Sequence, residues 1–374
     1  MISVSPSFPL FSSRFMSLLA VFACIPLSLL PRPALSLCNK PPVIFNFGDS
    51  NSDTGGLVAG LGFPFNSPNG RTFFGYPAGR LSDGRLVIDF LCASVNTSLL
   101  SPYLDSLGTT FTNGANFAIV GSTTLPEYRP FALHIQVMQF LRFKARSLQL
   151  VTAGVGNLID DQGFSDALYM IDIGQNDIAD SFSKNLSFVE VINYIPSVIM
   201  QIKNAVKDLH DHGARKFWIH NTGPLGCLPQ KLSMVNHGSK DLDLHGCLSS
   251  YNDVAKAFNE ELRRLCEKMR FEMKDATIVY VDIYAIKYDL IANSSKYGFS
   301  SALMACCGYG GPPYNYNITV PCGQPMSEVC DEGSKYISWD GIHYTEAANT
   351  IVASKILSGA YSTPPTPFDF FCRA

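Results

Sequence analysis

The chain carries little charge and no excess of positive charge. Lys and Arg number 28 against 31 Asp and Glu, a net of -3, and charged residues fill 16% of 374 positions. Such a balance gives no reason to expect nucleic acid as a partner. With 47% hydrophobic residues, it also excludes a disordered chain and allows a large core. Past residue 36 no apolar run is long enough to span a bilayer, so no membrane anchor is expected there. Internal repeats and interdomain linkers are absent. So is any compact set of metal ligands: His237 and His245 share a polar loop with Asp241 and Asp243, but without a known ligand spacing. The nucleophile elbow G-x-S-x-G is missing too, because Ser52 stands where its second Gly should be after Gly48 and Ser50.

What is present begins with a targeting segment. Arg14 precedes an apolar run from Phe15 to Leu30, broken by Pro26, and Ala34-Leu35-Ser36 offers a small-x-small cleavage site. This predicts a secretory signal peptide over 1–36 and a mature chain over 37–374. The cysteines agree. Eleven are present and Cys24 lies in the leader, which leaves an even ten, as expected of disulfides in an oxidising compartment. Cys227 with Cys247, and pairs within the Cys306–Cys330 loop, would staple long loops. Cys266 lies in a helical pattern and fits a buried thiol. Four N-x-S/T sequons, at Asn96, Asn185, Asn293 and Asn317, suit glycosylation during export.

Short apolar runs alternate with amphipathic stretches. Val43–Phe47, Ala167–Ile173, Lys216–His220 and Thr277–Val281 read as buried strands. Arg85–Val95, His134–Leu150, Val189–His212, a stretch from Tyr251 to about Arg270, Ile283–Ile291 and Thr345–Leu357 read as helices. Pro196 should kink the third of the helices from Val189 or start a new first turn. The alternation implies one α/β domain, a parallel sheet with helices on both faces. The Gly- and Pro-rich region Gly60–Gly84 carries Phe63, Phe65, Phe73, Phe74 and Tyr76; these either line a substrate cleft or cover the sheet edge.

The chemistry centres on Val43–Gly56, VIFNFGDSNSDTGG. The strand ends at Gly48 and Ser50 follows, at the sheet edge where ligands bind in open α/β folds. Ser50 either caps the next helix or is a nucleophile, and a nucleophilic serine requires a base. Of the seven histidines, His343 alone has a carboxylate three residues earlier, Asp340, in a turn opening a helix. That spacing puts the carboxylate near the imidazole Nδ1 and leaves Nε2 to take a proton. Gly114, within Asn113–Asn116, can supply a backbone N–H, and Asn176, in Gly174–Asp177, a side-chain N–H. With the N–H of Ser50 these would form an oxyanion hole.

Four segments together resemble the GDSL (SGNH) hydrolases. They are GDS at Gly48–Ser50, GANFAIVGS at Gly114–Ser122, GQND at Gly174–Asp177 and DGIH at Asp340–His343. Asn51 stands where the eponymous Leu would be, and Ile119-Val120 replaces part of a usually Gly-rich stretch. The phrases GPLGC and ACCGYGG are similar to those of plant secreted GDSL esterases/lipases. The resemblance implies a flavodoxin-like three-layer α/β/α sandwich with a central parallel sheet. It implies a triad of Ser50, His343 and Asp340, an oxyanion hole of Ser50, Gly114 and Asn176, and no metal or organic cofactor. The expected substrate is a small-molecule or lipid ester: a lipid, an acylated sugar or an acylated metabolite. The expected location is extracellular, in the cell wall or apoplast. An acyltransferase using the same triad, and a cell-wall binding protein with an idle triad, remain open at this stage.

Overall fold

Five parallel strands form the central sheet: β1 (Ile44–Gly48), β2 (Gly114–Asn116), β3 (Leu168–Asp172), β4 (Lys216–His220) and β5 (Thr277–Val281). The computed structural model describes residues 38, 40–126, 130–184 and 186–372; the signal peptide expected over 1–36 lies outside them. The sheet order is β5-β4-β3-β1-β2, with Ser362–Thr363 added antiparallel beyond β5. Strand order therefore reverses between β1 and β3, a topological switch point of the flavodoxin type, and ligands bind beyond the carboxyl ends of strands at such points.

The helices on the first half of the chain are α1 (Gly56–Leu61), α2 (Val87–Ser94), α3 (Leu133–Thr152), α4 (Asp161–Asp166) and α5 (Gln175–Ser183). Then follow α6 (Phe188–Asp211), α7 (Pro229–Met234), α8 (Ser249–Glu272), α9 (Ile283–Ala292) and α10 (Glu346–Leu357). Side chains alternate across each strand, so the sheet feeds two cores. Phe45, Phe47, Tyr169, Ile171, Phe217 and Ile219 pack with α3, α6 and α8. Ile44, Leu168, Met170, Trp218, Val279 and Val281 pack with α2, α9 and α10. This is the expected three-layer α/β/α sandwich.

The helix predicted from Val189 to His212 is one unbroken α6, with Pro196 inside it and neither a break nor a new start. It opens on a capping box, Ser187 with Glu190. β2 is too short, at three residues, to be seen as a strand in the sequence. Among the described residues four disulfides form: Cys227–Cys247, Cys306–Cys330, Cys307–Cys322 and Cys38–Cys372. The last joins residues 334 positions apart and has no local sequence signal. Cys266 is a buried thiol, as expected, and so is Cys92. In the Gly60–Gly84 region the guanidinium of Arg80 lies over Phe74 and that of Arg85 over Phe73, while Phe63 and Tyr76 remain exposed. No described helix is long and apolar enough to cross a membrane.

Candidate active site

Ser50 sits in the turn that leaves β1, at the switch point. Gln136 of α3 fixes the strand end, accepting from the Gly48 N–H at 2.9 Å and donating to the Gly48 carbonyl at 2.8 Å. Beyond Ser50 the turn closes on Asp53. Its buried carboxylate accepts from the N–H groups of Gly55, Gly56, Leu57 and Val120. The serine is thereby held rigidly with only 5% of its surface exposed. A helix cap is not its role: α1 starts six residues later, at Gly56, with Gly55 as its N-cap.

Asp340 and His343 lie on the tight turn before α10. One carboxylate oxygen, Oδ1, accepts from the N–H groups of Ile342 and His343 at 3.0 and 2.8 Å. The other, Oδ2, is 2.6 Å from His343 Nδ1. Burial alone would raise the Asp340 carboxyl, but the charge of His343 and these hydrogen bonds hold it below the ordinary range. His343 Nε2 is buried and finds no hydrogen-bond partner among the described residues. It belongs to a ring that lines the same cavity as Ser50, about 20 Å³ in volume, which is room for about one water. A buried polar atom left unbonded needs an explanation, and a proton-accepting role beside a serine is one.

Asn176 lies in the first turn of α5, close to the carboxyl end of β3. One of its amide hydrogens is used by the carbonyl of Ser122 at 2.9 Å, so the other is available. Next to it the Asp177 carboxylate accepts from the Thr124 N–H and hydroxyl; burial pushes this carboxyl up to about 6 despite those bonds. Together the two residues tie α5 to the segment after β2.

Gly114 is not at this site. It pairs with Ile44, the first residue of β1, while Ser50 follows the last. Four residues of strand rise separate the two levels, about 13 Å. The N–H of Gly114 is used by the Phe111 carbonyl. Its φ of 109°, and a Cβ position 1.8 Å from the Ile44 carbonyl oxygen, explain why glycine is needed there. The oxyanion assignment of Gly114 is therefore corrected to a strand-entry role. What reaches the end of β1 is the chain five and six residues later. The N–H of Ile119 bonds to the Gly48 carbonyl and that of Val120 to Asp53. Gly121 follows, and the amides of Gly121 and Ser50 are both unbonded among the described residues.

Sequence reasoning also missed the polar groups behind the serine. Asp49 is fully buried and carries one oxygen with no hydrogen-bond partner among the described residues. Burial first, and then the charge of Asp172, push its carboxyl up to about 7. Asp172 and His220 end β3 and β4, and His220 Nδ1 lies 3.5 Å from Asp172 Oδ2. The indole N–H of Trp218 donates to His220 Nε2 at 3.0 Å. Since an indole only donates, the ring proton of His220 is on Nδ1 and faces Asp172. Position at a strand's carboxyl end was the available signal for both residues. The polar loop of His237 and His245 is elsewhere: His237 Nδ1 bonds to the Val235 carbonyl, and Asp243 accepts from the N–H groups of His245 and Cys247. No group of three or more metal-ligating side chains occurs among the described residues.

Three of the sequons fall on described residues. Asn96 and Asn293 are exposed, and Asn317 is half-buried with its Oδ1 accepting from Thr319. Asn185 lies outside the described residues.

A doubly wound sheet with a buried serine, a carboxylate-held histidine and free amides at its switch point defines the class: a serine hydrolase acting on esters. The model of the GDSL-like Lipase/Acylhydrolase family matches residues 44–356, and the chain belongs to that family. A GDSL esterase/lipase of Arabidopsis thaliana is 68% identical over 90% of this chain and 91% of its own. The GDSL esterase/lipase LIP-4 of the same plant is 62% identical, over 97% and 98% respectively. An esterase of Hevea brasiliensis is 44% identical over 89% of each chain.

Proposed function

We propose that the protein is a secreted carboxylic-ester hydrolase that works through an acyl-enzyme on Ser50. His343 takes the Ser50 proton through Nε2 as the hydroxyl attacks the ester carbonyl. Asp340 holds the ring so that Nδ1 keeps its proton, and it offsets the charge of the imidazolium that forms. The tetrahedral oxyanion is received by the Ser50 and Gly121 backbone amides and the Asn176 side chain. His343 returns its proton to the leaving alcohol. Water then enters, loses a proton to the same nitrogen and releases the acid. The observation that carries this reading is the buried, unbonded His343 Nε2 facing the cavity of Ser50.

Export is supported by the leader over 1–36 and by four disulfides. The mature chain, 37–374, is then a single extracellular domain, placed in the cell wall or apoplast, with glycan on its exposed sequons. Its substrate class is a lipid ester, an acylated sugar or an acylated metabolite. The test is hydrolysis of short p-nitrophenyl esters by secreted protein, wild type and Ser50→Ala, with methanol added as a competing acceptor. Loss of all turnover in a folded variant, with free acid as the main product of the wild type, is the expected result. Full activity of Ser50→Ala removes the assignment, and predominant ester product replaces hydrolase with acyltransferase.

A further inference from the structure

Lys287 lies on the buried side of α9, with Ile283, Ile286, Leu290 and Ile291, and only 5% of it is exposed. A buried ammonium is costly unless it is paired. Among the described residues, however, no carboxylate comes within 4.0 Å of its Nζ. A stabilising ion pair is thus not its purpose. Its two close contacts are others. Nζ is 3.5 Å from Oδ1 of Asn51 and 4.0 Å from the ring centroid of Tyr344. Asn51 is the residue after Ser50, and Tyr344 is the residue after His343. One cation from a third element therefore touches the neighbours of both the nucleophile and its base, and it lines the cavity they share.

The surroundings are built for it. A Cβ on Gly223, in the loop after β4, would lie 3.0 Å from Lys287 Cδ, so glycine there leaves the stem its space. Asn51 is itself aligned, donating from its side chain to Asp49 Oδ1 at 3.0 Å and to Gln175 at 3.4 Å. That leaves Asn51 Oδ1 as the acceptor facing the ammonium. Burial lowers the affinity of Lys287 for its proton, while Asp172 and Asp49 act in the opposite direction.

We propose that Lys287 is a positioning residue for ester hydrolysis: its ammonium locks the Ser50 turn to the His343 turn through Asn51 and Tyr344. This rests on the triad reading above. Without the cation the two turns lose their common contact, so productive alignment of Ser50 with His343 falls while substrate binding is unchanged.

The experiment uses the full secreted chain, wild type, Lys287→Met and Gly223→Ala, with p-nitrophenyl acetate as substrate. Active sites are counted by exhaustive fluorophosphonate labelling, so that kcat is expressed per labelled serine. For Lys287→Met the expected result is kcat per site lower by at least about tenfold, with KM within about twofold. Gly223→Ala, which crowds the lysine without removing it, should lower kcat per site by a smaller amount with KM unchanged. It decides the matter if Lys287→Met does not accumulate. A folded variant with fewer labelled sites, but with kcat per site as in wild type, overturns the proposal and leaves Lys287 a packing residue. Failure of the wild type to label would instead remove the serine mechanism itself.

Discussion

Asp340→Asn exchanges one atom at the centre of the site, and its effect follows from the hydrogen bonds around it. The Asp340 carboxylate has two tasks: Oδ1 receives two backbone amides, and Oδ2 receives His343 Nδ1 at 2.6 Å. An asparagine carbonyl can keep the first task, so the turn should survive. Its amide, however, donates where the carboxylate accepted. His343 must then accept at Nδ1 and carry its proton on Nε2, the wrong tautomer for a base. The same exchange in a serine-protease triad lowers kcat by about 10⁴, equal to roughly 5 kcal/mol at 1.36 kcal/mol per decade. We expect a loss of about 10³–10⁴ in kcat at neutral pH, with the circular-dichroism spectrum retained. Stability should respond as well. The Asp340 carboxyl is depressed in the folded chain, so its contribution is present above the ordinary carboxylate range and is lost as pH falls through the folded value. The wild type should lose its melting-temperature advantage over Asp340→Asn on acidification. Turnover within tenfold of wild type by the folded variant would refute the reasoning about the tautomer.

Asn176→Ala should lower kcat by about 10²–10³, the usual cost of one oxyanion-hole donor; a change confined to KM, measured on p-nitrophenyl acetate, would make Asn176 a binding residue. Gly114→Ala should lower secreted yield and melting temperature, because its Cβ would collide with the Ile44 carbonyl oxygen. Protein that does fold should retain wild-type kcat per fluorophosphonate-labelled site, and a large loss of kcat at normal stability would return Gly114 to the site. Asp49, raised to about 7 by burial and by Asp172, adds stability that is complete below its unfolded value and lost as pH rises through about 7. Asp49→Asn should therefore flatten the fall in melting temperature between about pH 4 and pH 7, and an unchanged slope in thermal melts would contradict the shift.

Much of the architecture was legible because it is periodic. Lys216–His220 and Thr277–Val281 are the observed bounds of β4 and β5, and Phe188–Asp211 lies within one residue of the expected helix. Ser50, Asn176, Asp340 and His343 could be singled out as candidates because each follows an apolar run or opens a helix, and such ends meet at one edge of a parallel sheet. Gly114 was misplaced for a physical reason. β2 is three residues long, so its sequence does not reveal that the Gly114 end enters the sheet and the Gly121 end leaves it. Register, which only pairing with Ile44 provides, decides which end meets the serine. The Cys38–Cys372 bond was invisible because it joins residues 334 positions apart. Lys287 was hidden for a similar reason: inside the apolar helix pattern AIKYDLI it reads as a solvated side chain, and only the tertiary structure places its ammonium against Asn51 and Tyr344.

The most direct test of the account is to find the acyl group. Wild-type protein mixed with p-nitrophenyl acetate and quenched in acid within the first turnovers should gain one acetyl mass, and the modified peptide should carry it on Ser50. The gain should persist longer in Asn176→Ala and be absent from Ser50→Ala. An acetyl group on another residue, or a wild-type enzyme that turns over with no covalent adduct and equal activity in Ser50→Ala, would contradict the account.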